Sequence, residues 1–141
     1  MTRPALHHCD SCGAAHAPEA APLVCPDCGP RWGTLTVEYP AEAYTGLPPR
    51  PDGPPIWRYA RILPIHAPPA DPSPPVGDTP LVPAPALAKD LGVAEVFIKD
   101  DGRNPSASYK DRASAVAVAR ALEDGAQAIA CASTGNAASS L

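Results

Sequence analysis

The sequence has no surplus of positive charge. It carries 11 Lys+Arg against 15 Asp+Glu, a net charge of −4, so the basic stripe that tracks a phosphate backbone is missing and no nucleic-acid partner is expected. Long apolar runs are missing too. Nothing approaches the roughly 18 consecutive apolar residues that would cross a bilayer, so no membrane association is expected. Met1-Thr2-Arg3-Pro4-Ala5-Leu6-His7-His8 lacks the apolar stretch of a secretory signal, which points to the cytoplasm. No internal repeat of solenoid length is present. Proline, by contrast, is abundant: 21 of 141 residues, roughly three times ordinary usage.

Its distribution divides the chain. Fifteen prolines fall between Pro40 and Pro85, and only Pro105 follows them. Runs such as Leu47-Pro48-Pro49-Arg50-Pro51 have few backbone donors and favour extended polyproline geometry, so this stretch reads as a connector laid over a surface. One island interrupts it, Ile56-Trp57-Arg58-Tyr59-Ala60-Arg61-Ile62-Leu63, amphipathic enough to dock as a short turn of helix. Three regions are predicted: a Cys-rich head over 1–40, a proline-rich arm over 41–80, and an α/β segment over 81–141.

The head holds Cys9-Asp10-Ser11-Cys12-Gly13 and Cys25-Pro26-Asp27-Cys28-Gly29. Each is a tight knuckle whose glycine lets backbone amides face the thiolates. Together they offer four sulfurs in a tetrahedron, the geometry of a structural zinc site at Cys9, Cys12, Cys25 and Cys28. Disulfides suit an oxidising compartment, and a redox pair needs only one such motif beside a βαβ unit. A four-thiolate site leaves no open position to activate water, so its role is in folding. His7, His8 and His16 lie close by as substitute ligands or as solvated surface.

The third region predicts alternating elements. Ala84–Leu91 has helical periodicity and ends at Gly92, Glu95–Lys99 is a short β-rich run, and Ser108 or Tyr109 through Asp124 is a long helix stopped by Gly125. Its stripe is Ala115, Val118, Ala119 and Leu122, and its apolar composition predicts burial on more than one face. Gln127–Ala132 reads as a second strand, with Cys131 as a buried small hydrophobe, and Gly135 opens another helix. Strand, helix, strand predicts a right-handed parallel crossover.

Two loops of this unit carry chemistry. Asn104-Pro105-Ser106-Ala107-Ser108-Tyr109-Lys110-Asp111-Arg112 sets one amine at the start of a nearly uncharged helix. The helix dipole and burial both favour the neutral amine that imine formation requires; alternatively Lys110 simply reaches water. Ala132-Ser133-Thr134-Gly135-Asn136-Ala137-Ala138-Ser139 offers amides and hydroxyls as an anion cradle, or as an ordinary helix cap. Both loops follow predicted strands, where open parallel sheets bind ligands.

Gly77-Asp78-Thr79-Pro80-Leu81, the Lys110 loop and Ser133-Thr134-Gly135-Asn136 occur in that order. Together they resemble the N-terminal part of the fold-type II enzymes dependent on pyridoxal 5'-phosphate (PLP), the tryptophan synthase β-like fold. The Lys110-Asp111-Arg112 continuation, Ile56-Trp57-Arg58-Tyr59 and the Cys-rich head are similar to the threonine synthases within that group. The resemblance implies that Lys110 holds PLP and moves protons, and that Asn136 hydrogen-bonds the cofactor hydroxyl. It implies that Ser133 and Thr134, with Asn136 beside them, bind the substrate carboxylate or phosphate.

The implied reaction takes O-phospho-L-homoserine and water to L-threonine and phosphate, in a homo-oligomeric enzyme. Tyr109 stands where Phe commonly precedes the lysine, which keeps a ring and adds a hydroxyl. The implied fold is much longer than this chain and includes a Gly-rich phosphate loop that these residues lack, so a truncated fragment, inactive alone, is expected. Threonine dehydratase or cysteate synthase would keep the same motifs. A free-standing zinc-ribbon binding module is the reading from another class.

Overall fold

Two knuckles and one long Ala-rich helix organise the chain. The computed structural model describes residues 6–18, 20, 23–46, 52–72 and 74–141. The start of the N-terminal octapeptide (1–5) and the proline run Leu47–Pro51 lie outside the described residues. The chain divides into two compact units, Met1–Asp52 with Arg58–Pro68, and Gly53–Trp57 with Pro69–Leu141. No helix among the described residues is long and apolar enough to cross a membrane.

The first unit is a three-stranded antiparallel sheet in the order β2-β1-β3, built from β1 (Leu6–Cys9), β2 (Ala15–His16) and β3 (Leu35–Glu38). His7 opposes His16 on one side and Val37 on the other, while Cys9 opposes Leu35. Between β2 and β3 lies α1 (Gly29–Trp32), a single turn with Pro30 near its start. Cys9, Cys25, Ala43, Ala60 and Ile65 are its buried apolar residues. The island takes the form of a 3₁₀ helix over Ile56–Ile62, in agreement with the short turn that its pattern predicts.

In the second unit β4 (Leu81–Pro83) pairs with β5 (Phe97–Lys99), antiparallel, with Val82 opposite Ile98. Between them runs α2 (Pro85–Leu91), begun by proline and closed by Gly92 at φ +66°, a left-handed stop that glycine adopts without penalty. Next come α3 (Lys110–Glu123) and α4 (Asn136–Ser140). The Ser114 and Ser140 hydroxyls, 2.6 Å apart, join these two helices. The unit is α/β, as expected.

Three expectations are corrected. Gln127–Ala132 forms no strand, and β5 takes β4 as an antiparallel neighbour, so the predicted parallel pairing of 95–99 with 127–132 is not formed. A parallel strand is held by ladder partners and by cover on both faces; residues 127–132 are exposed and have neither. Cys131 is accordingly exposed, because the strand that would have buried it is missing. Helix α3 buries only Asp111 and Ala119, and Leu122 stays 64% exposed: the element packed most closely against it, α4, is only five residues long.

Candidate functional site

The segment before α3 turns almost all of its polar groups inward. Asn104, Ser108 and Asp111 are buried, and each is hydrogen-bonded, as buried polar groups must be. Asn104 accepts from the Gly77 N–H through Oδ1 at 2.9 Å and donates from Nδ2 to the Asp101 carbonyl at 2.9 Å. Asp111 receives the Ser106 N–H at 2.7 Å on Oδ2 and the Ser106 hydroxyl on Oδ1, closing the loop upon itself. Ser108 Oγ accepts the Lys110 N–H at 3.1 Å. Ala107 sits at φ +57°, a left-handed conformation that costs a non-glycine residue about 1–2 kcal/mol and that persists where neighbouring contacts impose it.

Lys110 is the exception to this inward turn. It opens α3, half-buried, with its amine 5.0 Å from the Tyr109 ring centroid. No carboxylate pairs with it among the described residues. Tyr109, which adds a hydroxyl where Phe commonly stands, is 60% exposed, so that hydroxyl can meet water.

Two residues further on, Arg112 forks onto Asp101, with Nε to Oδ2 at 2.8 Å and Nη2 to Oδ1 at 2.7 Å. The Thr79 hydroxyl donates to Asp101 Oδ1 at 2.6 Å and accepts from Arg112 Nη2 at 3.2 Å. Lys99 Nζ donates to the Thr79 carbonyl. The Arg112 guanidinium, with help from the Thr79 hydroxyl, holds the Asp101 carboxyl well below the usual carboxylate range, so the pair stays charged. The Gly77-Asp78-Thr79 and Lys110-Asp111-Arg112 motifs, far apart in sequence, thus meet in one polar network. Sequence reasoning quoted both motifs but missed this role; the one signal available was an acidic and a basic residue flanking the lysine loop.

The second loop is more open. Thr134 and Asn136 are exposed and Ser133 half-buried. The Ser133 hydroxyl accepts the Gly135 N–H at 3.1 Å. A cavity of about 500 Å³ lies along α3, lined by Trp57, Ser106, Asp111, Ser114 and Ala119 among others, and by Ser139 and Ser140 of α4. Lys110, Ser133, Thr134 and Asn136 are not among its lining residues.

In the head the four predicted cysteines do converge. The Sγ atoms of Cys9, Cys12, Cys25 and Cys28 lie within 4.8 Å of one another. Gly13 and Gly29, each just after the second cysteine of its knuckle, take φ +73° and +65°, which lets the Gly13 and Gly29 N–H groups return to the Cys9 and Cys25 carbonyls at 2.9 Å. A tetrahedral ion with metal–sulfur bonds of about 2.3 Å needs sulfur–sulfur edges of about 3.8 Å; Cys12 and Cys25 are 3.8 Å apart. The backbone N–H groups of Cys12 and Ser11 hold the Cys9 thiol down at about 7. The Cys12 and Cys9 side chains push Cys28 up to about 12. Sulfurs this close cannot all lose their protons unless a cation stands among them, so the donor set fits a metal. All five cysteines are free. His7, His8 and His16 take no part in the cluster; His8 Nε2 pairs instead with Glu38 at 2.6 Å.

Gly33 closes the second knuckle, accepting the Cys25 N–H at 2.8 Å and donating to Gly29 O at 2.8 Å. A Cβ there would lie 2.6 Å from Gly29 O and 2.9 Å from the Cys25 backbone N and O, and backbone cannot yield. Gly33→Ala is expected to destabilise the head by about 1–3 kcal/mol; an unchanged denaturation midpoint for this unit contradicts that.

A family model described as pyridoxal-phosphate dependent enzyme matches residues 72–141. Residues 72–141 belong to the pyridoxal-phosphate dependent enzymes. It is similar to a threonine synthase of Methanosarcina acetivorans, 34% identical over 135 residues that cover 94% of this chain and 32% of the relative. A threonine synthase of Methanocaldococcus jannaschii is 36% identical over 142 residues, covering 96% of this chain and 34% of the relative. One of Synechocystis reaches 56% over 61 residues, 43% of this chain and 16% of the relative. The chain therefore spans about a third of the length of the first two curated relatives. No solved structure matches. Membership in the pyridoxal-phosphate dependent enzymes sets aside the free-standing binding module. The family's cofactor is an aldehyde, and the donor set suits one: an amine without a carboxylate partner at the first position of α3, with every buried polar neighbour in its loop already engaged.

Proposed function

We propose that this chain is the lysine-bearing part of a fold-type II threonine synthase, whose full-length form converts O-phospho-L-homoserine and water to L-threonine and phosphate. The observation that carries the proposal is Lys110: a half-buried amine at the start of α3 without a carboxylate partner among the described residues, on a loop whose buried polar groups are all engaged elsewhere. PLP, when bound, would supply the electron sink that loss of phosphate from the substrate's γ-carbon and addition of water at its β-carbon require. Lys110 would hold the cofactor through its side-chain amine and would carry protons to and from the substrate. Asn136 would hold the cofactor hydroxyl through its side-chain amide. Ser133 and Thr134, with Asn136 beside them, bind the substrate carboxylate or phosphate.

The head over 1–40 holds zinc through Cys9, Cys12, Cys25 and Cys28 as a structural element, the arm over 41–80 connects, and 81–141 contributes to the catalytic domain. Support for the substrate comes from the names of the relatives described above, each a threonine synthase. The deciding experiment supplies O-phospho-L-homoserine to the full-length, PLP-loaded protein and measures phosphate and threonine together, which are expected in equal amounts. Ammonia and a keto acid from threonine, with no phosphate released from the phosphorylated substrate, would replace this reading with that of a dehydratase.

A further inference from the structure

We propose that Arg112, forked onto Asp101 and closed by Thr79, is a positioning residue that fixes the direction of the Lys110 amine; this deepens the reading of Lys110 given above and rests on it. Arg112 lies two residues beyond Lys110, in the same first turn of α3. Its guanidinium is held by both Asp101 oxygens and by the Thr79 hydroxyl, so two separate segments grip that turn. A bidentate fork fixes orientation as well as distance, which a lone ammonium cannot do.

The surroundings are built to the same end. A Cβ at Gly77 would lie 3.1 Å from Arg112 Nη1, and the residue sits at φ +95°. The Gly77 N–H then reaches Asn104, the first residue of the lysine loop. Each residue of a helix turns about 100° and rises about 1.5 Å, so a first turn freed to slip by one position would swing the Lys110 side chain onto a different face. Asp111, in the same turn, and Ala119 are the buried residues of the helix, so polar contacts rather than apolar packing pin this end of α3. Amine and aldehyde chemistry depends on approach, and a misplacement of about 1 Å can cost on the order of 100-fold.

The test uses the full-length, PLP-loaded enzyme with Arg112→Lys, Asp101→Asn, Thr79→Val and Thr79→Ser. Arg112→Lys keeps the charge and loses the fork; Thr79→Val loses one hydroxyl, and Thr79→Ser keeps it. In the first three variants kcat is expected to fall roughly 10- to 100-fold with KM within about threefold, the pH profile of kcat is expected to shift, and Thr79→Ser is expected to restore kcat. Borohydride is expected to fix the cofactor to the Lys110 peptide in all four. Should Arg112→Lys fail to fold, Thr79→Val carries the measurement.

Unchanged kcat in folded Arg112→Lys and Thr79→Val overturns the proposal, as does a raised KM at constant kcat, which would make Arg112 a substrate ligand. Cofactor fixed to a lysine other than Lys110 in the unsubstituted enzyme overturns the Lys110 reading and this proposal with it. Fixation at Lys110 together with unaltered kinetics in the variants removes the positioning role alone.

Discussion

Lys110→Ala in the full-length enzyme is expected to abolish threonine formation and, in the same sample, borohydride fixation of PLP to the chain. Three lysines compete for the role, and the structure separates them. Lys89 is exposed in the last turn of α2, next to Asp90. Lys99 is already committed, its amine donating to the Thr79 carbonyl and its charge lying near Asp101. Lys110 alone is half-buried at a helix start with no carboxylate beside it. Loss of a positioned acid–base group costs about 10²–10⁴-fold, and Lys110→Ala also removes the covalent anchor. Lys110→Arg keeps the charge but presents no amine able to form the imine, and should fail equally. Either variant retaining more than about a tenth of the activity, above the smallest loss expected of a positioned acid–base group, refutes the assignment.

The local part of this arrangement was readable from the sequence because its causes are local. A proline at the start and a left-handed glycine at the end delimit α2 at Pro85–Leu91, and Ala-rich periodicity delimits α3 at Lys110–Glu123. The knuckles were readable for the same reason: two Cys-x-x-Cys-Gly turns demand positive φ at Gly13 and Gly29 whatever surrounds them.

What failed depends on partners distant in sequence. Gln127–Ala132 is a short apolar run that reads as a strand, yet such a run does not choose a neighbour, and among the described residues none pairs with it. Leu81, Val82, Phe97 and Ile98 of the β4–β5 pair remain 45–62% exposed for the same reason, since a two-stranded sheet has no second layer to bury them. The Arg112–Asp101–Thr79 network was equally invisible: its members lie up to 33 residues apart, and only the fold reveals that a familiar motif near Thr79 exists to receive the helix start that bears Lys110.

The head gives the second large effect. Cys25→Ser is expected to abolish metal binding, which elemental analysis of freshly purified, reduced protein should report as a fall from one zinc per chain to none. Cys25 has no exposed surface at all, so a serine hydroxyl there would be a poor ligand and a buried polar group at once. Cys12 is exposed, and Cys12→Ser exchanges a ligand without burying a hydroxyl; its damage to the sheet is expected to be milder at equal metal loss. Because a structural thiolate site rarely exists before folding, metal binding and folding of the β2-β1-β3 sheet are one equilibrium. A strong chelator is therefore expected to reproduce the substitution, collapsing the amide dispersion of residues 6–46 and leaving that of 85–141 in place. The two regions respond separately because the Cys cluster and the lysine loop belong to different compact units, and no cysteine ligand comes from the second. Zinc-free protein whose head stays ordered would mean that hydrogen bonds such as Cys25 N–H to Gly33 O and Asp10 N–H to Thr34 O suffice without an ion, and the knuckles would then be a fold that has outlived its metal.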